Sequence, residues 1–266
     1  QKYEKGTNGV SSNRLMQLSN YLKVPITYFF AVAFASFLLG ISKSGIKGLA
    51  ILIVTIFALV YDAKSSTGIV MPLLILGDIF AVIYYNRHTK WEFIKKLIPW
   101  MIIGVLIGVF FGKDIPENTF KVIMAIIIFA STLLMYFWEN KPNKKVPNHP
   151  LFSFSMGILA GFTTMIGNLA GSFANIYFLA IRLPKNEFIG TAAWLFFIIN
   201  FFKLPFHIFI WKTINIDSLY NSLILSPFLI IGLLMGVKIV KKIKNDSYRK
   251  LILFFTGLGA IIILFK

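Results

Sequence analysis

The sequence predicts an all-α polytopic membrane protein made of two inverted repeats of about five apolar segments each, with broken or re-entrant short helices in each repeat. Three observations lead to this fold class. Of the 266 residues, 57% are hydrophobic and only 14% are charged, with a mean hydropathy of +0.77, whereas about a quarter of the residues of a soluble domain are charged. Long apolar runs follow one another along the chain, and similar motifs recur in its two halves.

Apolar runs cover most of the chain after residue 24. Most of them approach the roughly 20 residues that a helix needs to cross the hydrocarbon core of a bilayer. The runs of the first half are 24–41, 49–61, 66–85, 97–112 and 120–138, and those of the second half are 151–166, 169–181, 188–211, 219–240 and 251–265. Because 49–61 and 169–181 are too short to cross, we expect each of them to form a broken or re-entrant helix with the run before it.

The two halves carry matching residues at a nearly constant spacing of roughly 120 to 130 positions, which indicates an internal repeat. The pairs are Gly40 with Gly161, Lys64 with Lys185, Gly68 with Gly190, and Asp78 with Asn200.

Loop charge predicts that the repeats have opposite orientations, because cytoplasmic loops are enriched in Lys and Arg. In the first half the loop 86–96 is basic and 113–121 is balanced, whereas in the second half 212–217 is balanced and 241–250 is basic. Opposed repeats of this kind are common in secondary transporters. We therefore divide the chain into an N-terminal tail, 1–24, a first transmembrane repeat, 25–138, a cytoplasmic linker, 139–150, and a second transmembrane repeat, 151–266.

The N-terminal stretch 1–30 resembles the second half of a Cro/C1-type helix-turn-helix domain. The part of that fold that would enter a major groove is missing from the stretch. We interpret the tail as a fusion scar, a mis-joined segment or a truncated leader rather than as a working DNA-binding module, and we expect no functional nucleic-acid binding.

Composition excludes several classes of site. The chain contains no Cys, so it has neither disulfides nor thiolate metal ligands, and its three histidines, His88, His149 and His207, lack metal-ligand spacing. We find no nucleophile–base arrangement, so we expect no enzyme activity, no cofactor and no metal. The formal charge of +17 suggests nucleic acid, anionic lipid or an anionic solute as partner. Because most basic residues fall in loops, membrane lipid accounts for most of this charge.

Charged side chains inside apolar runs are costly and usually functional. Asp78 is the only acidic residue placed deep in such a run, and the basic residues that stand out are Lys43, Lys47 and Lys203. Asp78 and Lys203 occupy nearly equivalent repeat positions. They therefore either form a structural ion pair, or one of them binds an anion or carries a proton.

Polar residues at the two junctions between short apolar runs are candidates for substrate binding, because helix N-termini present free N–H groups and partial positive charge to an anion. Close helix packing by small residues is the alternative explanation. The candidates at and beside the junctions are Ser42, Lys43, Ser44, Gly45, Lys47, Thr163, Thr164 and Asn168, and those in the crossing segments that follow are Thr67, Thr191, Asn200 and Lys203.

These motifs together resemble the TauE/SafE family of sulfite and organosulfonate exporters over about residues 27–266. The strings that carry the resemblance are GISKSGIKG at 40–48, KSSTG at 64–68, GD at 77–78 with YYNRH at 84–88, GNLAG at 167–171, and GTAAW at 190–194 with Asn200, Lys203 and Pro205. The usual triple-glycine junction of the family is replaced here by residues 43–45, KSG. The resemblance implies export or exchange of a small sulfur-containing anion across the bacterial inner membrane.

Our leading hypothesis is a secondary transporter for sulfite, sulfoacetate, thiosulfate or sulfate, in which Asp78 either exchanges a proton or sets Lys203 in position. A passive anion channel is the alternative that the same residues could build, and a membrane-tethered DNA-binding regulator is a third. A homodimer is left open, as are the direction of transport and the coupling ion.

Overall fold

The computed structural model describes residues 26–139 and 149–255, except for 246, 249 and 253. The N-terminal tail, 1–24, lies outside the described residues, as do most of the linker 139–150 and the end of the second repeat, 256–266. The predictions made for these segments, including the helix-turn-helix resemblance, stay predictions.

The described residues fold into helices joined by short turns, and no strand occurs among them, which confirms the all-α class. The helices are α1 (Ile26–Lys43), α2 (Ala50–Val60), α3 (Ala63–Tyr85), α4 (Trp91–Gly112), α5 (Glu117–Glu139), α6 (Pro150–Gly167), α7 (Ala170–Ala180), α8 (Lys185–Pro205) and α9 (Ile216–Lys242). A 3₁₀ turn, Asn86–His88, follows α3, and a π-helical segment, Phe206–Ile210, follows α8.

Within the described ranges, five helical stretches are long and apolar enough to cross a membrane: 63–88, 91–112, 150–167, 185–210 and 216–242. By contrast, α2 and α7 have 11 residues each, which at 1.5 Å per residue is about half of the hydrocarbon thickness. Each follows a helix that stops at a break, 44–49 in one half and 168–169 in the other. The breaks need left-handed backbone, which Gly45 (φ 129°) and Gly48 (φ 100°) supply in the first half and Asn168 (φ 56°) supplies in the second.

Each broken helix packs against a long helix of the other half through a glycine. A Cβ placed on Gly40 of α1 would lie 2.1 Å from the carbonyl oxygen of Leu229 on α9. A Cβ on Gly161 of α6 would lie 2.0 Å from the carbonyl oxygen of Met101 on α4. Backbone-to-backbone approach of this kind is possible only where the side chain is a hydrogen atom, so the repeated glycines interlock the two halves.

The second turn of each long third helix also lies against the backbone of the other half, at or next to the end of a helix. A Cβ on Gly68 of α3 would lie 2.0 Å from the Thr213 carbonyl oxygen, and a Cβ on Gly190 of α8 would lie 2.7 Å from the Tyr85 carbonyl oxygen. The matched glycines of the sequence repeat therefore make matched contacts in space. The opposite membrane orientation of the halves stays a prediction.

Loops of like charge meet at the same end of the helix bundle. At one end, here called the basic end, the loop 86–90 contacts 187–191, and Lys185 Nζ donates to the carbonyl oxygens of Val240 and Ile243. At the other, the balanced end, the Ala63 amide donates to Glu117 and Lys64 Nζ donates to the Lys113 carbonyl oxygen. The membrane face that each end takes stays a prediction.

We expect Gly161→Ala to destabilise the protein strongly, because the new methyl group would overlap the Met101 backbone, which cannot move as a side chain can. Overpacking usually costs about 1–3 kcal/mol, and this contact is closer than a side-chain contact. Thermal unfolding in detergent, followed by size-exclusion chromatography, measures the effect. The matched control is Gly171→Ala, where the nearest atoms to the added Cβ lie 3.5 and 4.0 Å away. Equal melting temperatures of the two variants would contradict the packing described above.

Candidate functional site

A cavity of about 50 Å³ lies where the two helix breaks meet. Its wall combines residues of both breaks, the first turns of α2 and α7, and the middle of α8. The lining residues are Leu39, Ser42, Lys43, Lys47, Gly48, Ala50, Leu74, Thr164, Asn168, Ala170, Gly171, Asn175, Phe196 and Asn200. Since a water molecule needs about 10–15 Å³ of such space, the cavity holds a few water-sized groups, which is the size of a small inorganic anion.

A buried ion pair within the first half lies beside this cavity, and a hydrogen bond from Asn200 ties it to the second half. Lys43 Nζ at the end of α1 lies 2.5 Å from Asp78 Oδ1 on α3. The other carboxylate oxygen, Asp78 Oδ2, accepts a hydrogen bond of 2.6 Å from Asn200 Nδ2 on α8. Both partners of the ion pair are buried, with side-chain exposures of 7% and 1%. Asp78 thus pairs with Lys43, and the alternative of an Asp78–Lys203 pair is wrong.

Lys203 binds neutral oxygens at the second helix break instead. Its Nζ donates to the carbonyl oxygen of Thr164 at 2.9 Å, to Thr164 Oγ1 at 2.9 Å and to Asn168 Oδ1 at 2.8 Å. An ammonium group has three protons, and these three acceptors use all of them. Lys203 does not line the cavity. Its hydrogen bonds hold Thr164 and Asn168, which do line it.

Among the described residues, Lys47 is a cation that lines the cavity without a hydrogen-bond acceptor. It is 4% exposed, and its Nζ lies 5.5 Å from the centre of the Phe196 ring, beside Lys43 at 5.6 Å from the same ring. The described residues offer its ammonium group no hydrogen bond. Because an isolated buried charge is costly, this arrangement favours a ligand that brings negative charge.

The N-terminal ends of α2 and α7 both reach the wall of the cavity. Their N-cap residues are Leu49 and Leu169, and neither has a side chain that accepts a hydrogen bond from its helix. Ala50, Ala170 and Gly171 line the cavity at these two N-termini. Unpaired N–H groups and the partial positive charge of a helix N-terminus both favour an anion.

The remaining predicted site residues hold the frame rather than line the cavity. The hydroxyl groups of Ser44, Thr67 and Thr163 donate to backbone carbonyl oxygens within their own helices or turns, at 2.6–2.8 Å. Gly45 uses its carbonyl oxygen to accept from Tyr248, and Thr191 Oγ1 accepts from the Lys90 amide at the basic end. Of the predicted set, those that line the cavity are Ser42, Lys43, Lys47, Thr164, Asn168 and Asn200.

Sequence reasoning missed Asn175 and Phe196, which both line the cavity. Asn175 is 4% exposed, and among the described residues its Oδ1 has no hydrogen-bond partner. An amide inside the 11-residue apolar helix α7 was the available signal, because a polar side chain in such a helix needs a partner. Phe196 lies in a run of apolar residues with nothing to distinguish it from its neighbours.

The two ends of the molecule differ in closure. At the basic end Trp194 Nε1 donates to Asn86 Oδ1 at 2.9 Å, and Lys90 lies 3.2 Å from Glu187, so the halves are bridged there. At the balanced end they part to form a second cavity of about 1040 Å³, the vestibule. It is lined by residues 58–62, 64, 65, 69, 117, 121, 211–213, 215, 217, 218 and 221. Burial raises the pKa of Tyr61 in its wall to about 12, so this phenol stays neutral.

Comparison with known proteins gives one family. The family model described as "Sulfite exporter TauE/SafE" matches residues 28–263. No curated protein and no solved structure matches the chain.

We expect the Lys43–Asp78 pair to behave as one unit in a double-mutant cycle. Removing one partner of a buried ion pair costs about 3–5 kcal/mol, because the other charge is left without compensation. Asp78→Asn and Lys43→Met should therefore each lower the melting temperature, and the double variant should recover most of the loss. The control combines Asp78→Asn with Lys203→Met, which should lose stability additively. Recovery with Lys203→Met instead of Lys43→Met would contradict the observed pairing.

Proposed function

Since the chain belongs to the sulfite exporter TauE/SafE family, we propose that it is a secondary transporter that exports or exchanges a small sulfur-containing anion across the bacterial inner membrane. The family makes it a multi-pass membrane protein with a small anion as its substrate. Which anion is transported, how its transport is coupled and which membrane holds the protein are parts of our proposal.

The observation that carries the proposal is the ammonium group of Lys47 in the 50 Å³ cavity, which has no hydrogen-bond acceptor among the described residues. Lys43, Lys47 and Lys203 place three basic groups in and around the cavity, while Asp78 is the carboxylate that binds one of them. A doubly charged anion would balance this excess. The N-termini of α2 and α7 add further donors, so sulfite, thiosulfate and sulfate suit the site in charge.

The size of the cavity favours the inorganic anions over sulfoacetate. Sulfoacetate adds a second anionic group to the sulfonate, and 50 Å³ leaves little room for it. The wall around the polar groups is made of Leu39, Leu74 and Phe196, which provide no hydrogen-bond donors to the carboxylate of sulfoacetate. The buried polar groups of a site reject ligands that leave them, or the ligand, unpaired.

Closure of the basic end favours a carrier over a passive channel. The contacts of Asn86 with Trp194 and of Lys90 with Glu187 bridge the halves at that end, whereas the vestibule opens at the other. A passive channel requires a continuous path through the protein. A carrier, by contrast, opens its site to one side of the membrane at a time while the other end is closed.

We expect Lys47→Met to abolish anion binding and transport while the protein stays folded, because the variant removes a charge that has no structural partner and keeps much of the side-chain volume. Uptake of radiolabelled sulfite or sulfate into proteoliposomes, together with thermal shift by the same anions, measures the effect. Lys121→Met is the matched control, since this lysine lies in the vestibule wall with 51% of its side chain exposed. Wild-type flux in Lys47→Met would contradict the proposal, and linear current with no saturation in the wild type would favour the channel.

We expect sulfite, thiosulfate and sulfate to stabilise the protein against heat, and sulfoacetate to do so at least tenfold less effectively at equal concentration, because it exceeds the cavity. Gly171→Ser should weaken all of them, since its side chain would enter the cavity beside Asn175. Gly171→Ala is the milder comparison. Sulfoacetate that binds tightest of the panel would show that the cavity expands, and would contradict the size argument.

A further inference from the structure

His207 is a buried titratable group that the transport site described above does not use. It lies in the π-helical segment Phe206–Ile210 and is 0% exposed. Its Nδ1 is 2.8 Å from Thr213 Oγ1, while its Nε2 is buried and has no hydrogen-bond partner among the described residues. π-helical segments occur frequently at functional sites, and a buried ring atom without a hydrogen-bond partner requires an explanation.

The ring of His207 lies between the vestibule and the residues that frame the anion cavity. Thr213, which contacts Nδ1, is part of the vestibule wall. On the same helical face, one turn earlier, Lys203 binds Thr164 and Asn168 of the cavity wall. Thr213 therefore connects His207 to the vestibule. Toward the cavity, the connection runs through Lys203 and then through Thr164 or Asn168.

The charged groups around His207 come from several elements. Lys203 lies on α8, the helix that continues into the π-helical segment of His207. On α3, Lys64 Nζ is 5.4 Å from the ring of Trp211, and this ring packs on His207. The vestibule wall holds further charged residues: Asp62 before α3, Glu117 and Lys121 on α5, Lys212 after the π-helical segment, and Asp217 on α9. On the cavity side, the Asp78 carboxylate accepts from Lys43 and Asn200.

Coulomb interaction couples this ring to the anion cavity. With the cavity empty, the nearby Lys203 ammonium opposes a second positive charge on His207. An anion in the cavity offsets that repulsion and favours the imidazolium form. By linkage, protonation of His207 must favour anion binding by the same factor.

We propose that His207 is the group that takes up a proton together with the anion, and that it exchanges this proton with the vestibule through the Thr213 hydroxyl. On uptake, a proton from bulk solvent is relayed by a vestibule water to Thr213 Oγ1 as the Thr213 hydroxyl passes its own proton to His207 Nδ1, so that the water and the hydroxyl are both left neutral. On release, the same proton returns by the reverse path. No other bond is made or broken, and no redox partner is needed. This inference rests on the proposed function, because it requires that the cavity binds an anion.

Asp78 is a poorer proton acceptor than His207. One of its carboxylate oxygens accepts from the Lys43 ammonium at 2.5 Å and the other from the Asn200 amide at 2.6 Å. Protonation would have to break one of these contacts, whereas protonation of His207 at Nδ1 keeps the contact with Thr213 Oγ1, because the two atoms only exchange the roles of donor and acceptor. Asp78 thus fixes the frame while His207 titrates.

Isothermal titration of the detergent-solubilised full chain with sulfate or thiosulfate tests the proposal. Both anions keep two charges over the range in which histidine titrates, so they contribute no proton of their own. Titrations in buffers of different ionisation enthalpy count the protons taken up. We expect the wild type to take up close to one proton per anion, and its Kd to rise about tenfold per pH unit above the point at which the free protein's His207 loses its proton.

His207→Asn is the informative variant, because the Asn amide places a polar atom close to the position of Nδ1, where it keeps the Thr213 contact but does not titrate. We expect it to bind the anion with no proton uptake and a flat pH profile. The matched control is His88→Asn, an exposed histidine in the 3₁₀ turn at the basic end, which should keep the wild-type proton count.

Each further outcome counts against a specific claim. A wild type that binds anion without proton uptake overturns the role of His207 and leaves the proposed function standing, as does a His207→Asn variant with an unchanged proton count. Loss of anion binding at every pH in a folded His207→Asn protein overturns the inference in favour of a structural histidine. A wild type that binds neither these anions nor sulfite contradicts the proposed function itself.

Discussion

The ion pair of Lys43 with Asp78, completed by Asn200, is the contact on which the rest of the site depends. It joins α1, α3 and α8 across the two halves, and its charged groups are shielded from bulk solvent. Ionised groups in such surroundings are stable only when their hydrogen-bonding capacity is satisfied, and both carboxylate oxygens of Asp78 have a donor. By holding the end of α1 in place, the pair fixes the start of the break at 44–49. That geometry brings Lys47 to the cavity wall.

The internal repeat provides the geometry of this site, and departures from the repeat provide its chemistry. Matched glycines let each broken helix reach the backbone of the other half, so two breaks meet around one cavity. At equivalent positions of the breaks, however, one half carries Lys43 and Lys47 where the other carries Thr164 and Asn168. The second half then recruits Lys203 to its break. The two breaks are thus similar in backbone but different in charge. The first half brings charged lysine side chains to the cavity wall, and the second half brings neutral hydrogen-bond donors and acceptors.

Hydropathy and glycine spacing predicted most of the fold, because crossing helices need long apolar runs and broken ones need short runs beside flexible junctions. They also located the cavity, since six of the predicted site residues line it. They could not assign the partner of Asp78. Lys43 and Lys203 both fall near Asp78 in depth along the helices, and only the rotation of each helix decides which ammonium group reaches the carboxylate. Asn175 was missed for a related reason: the helix that carries it is apolar throughout, so its face toward the cavity is set by packing and not by pattern.

Movement of an anion between cavity and vestibule requires specific contacts to part. The two spaces share no lining residue in the described part of the chain. Between them, Asn168 Nδ2 donates to the Thr67 carbonyl oxygen, and Gly68 lies against the backbone of Thr213. Both contacts join α3 of the first half to elements of the second half. Asn168 also accepts from Lys203, and Thr213 also contacts His207. The contacts of this barrier therefore include the groups to which the proposed mechanism assigns the anion and the proton. In the proposed carrier, opening toward the vestibule and the change of charge in the site would involve the same side chains.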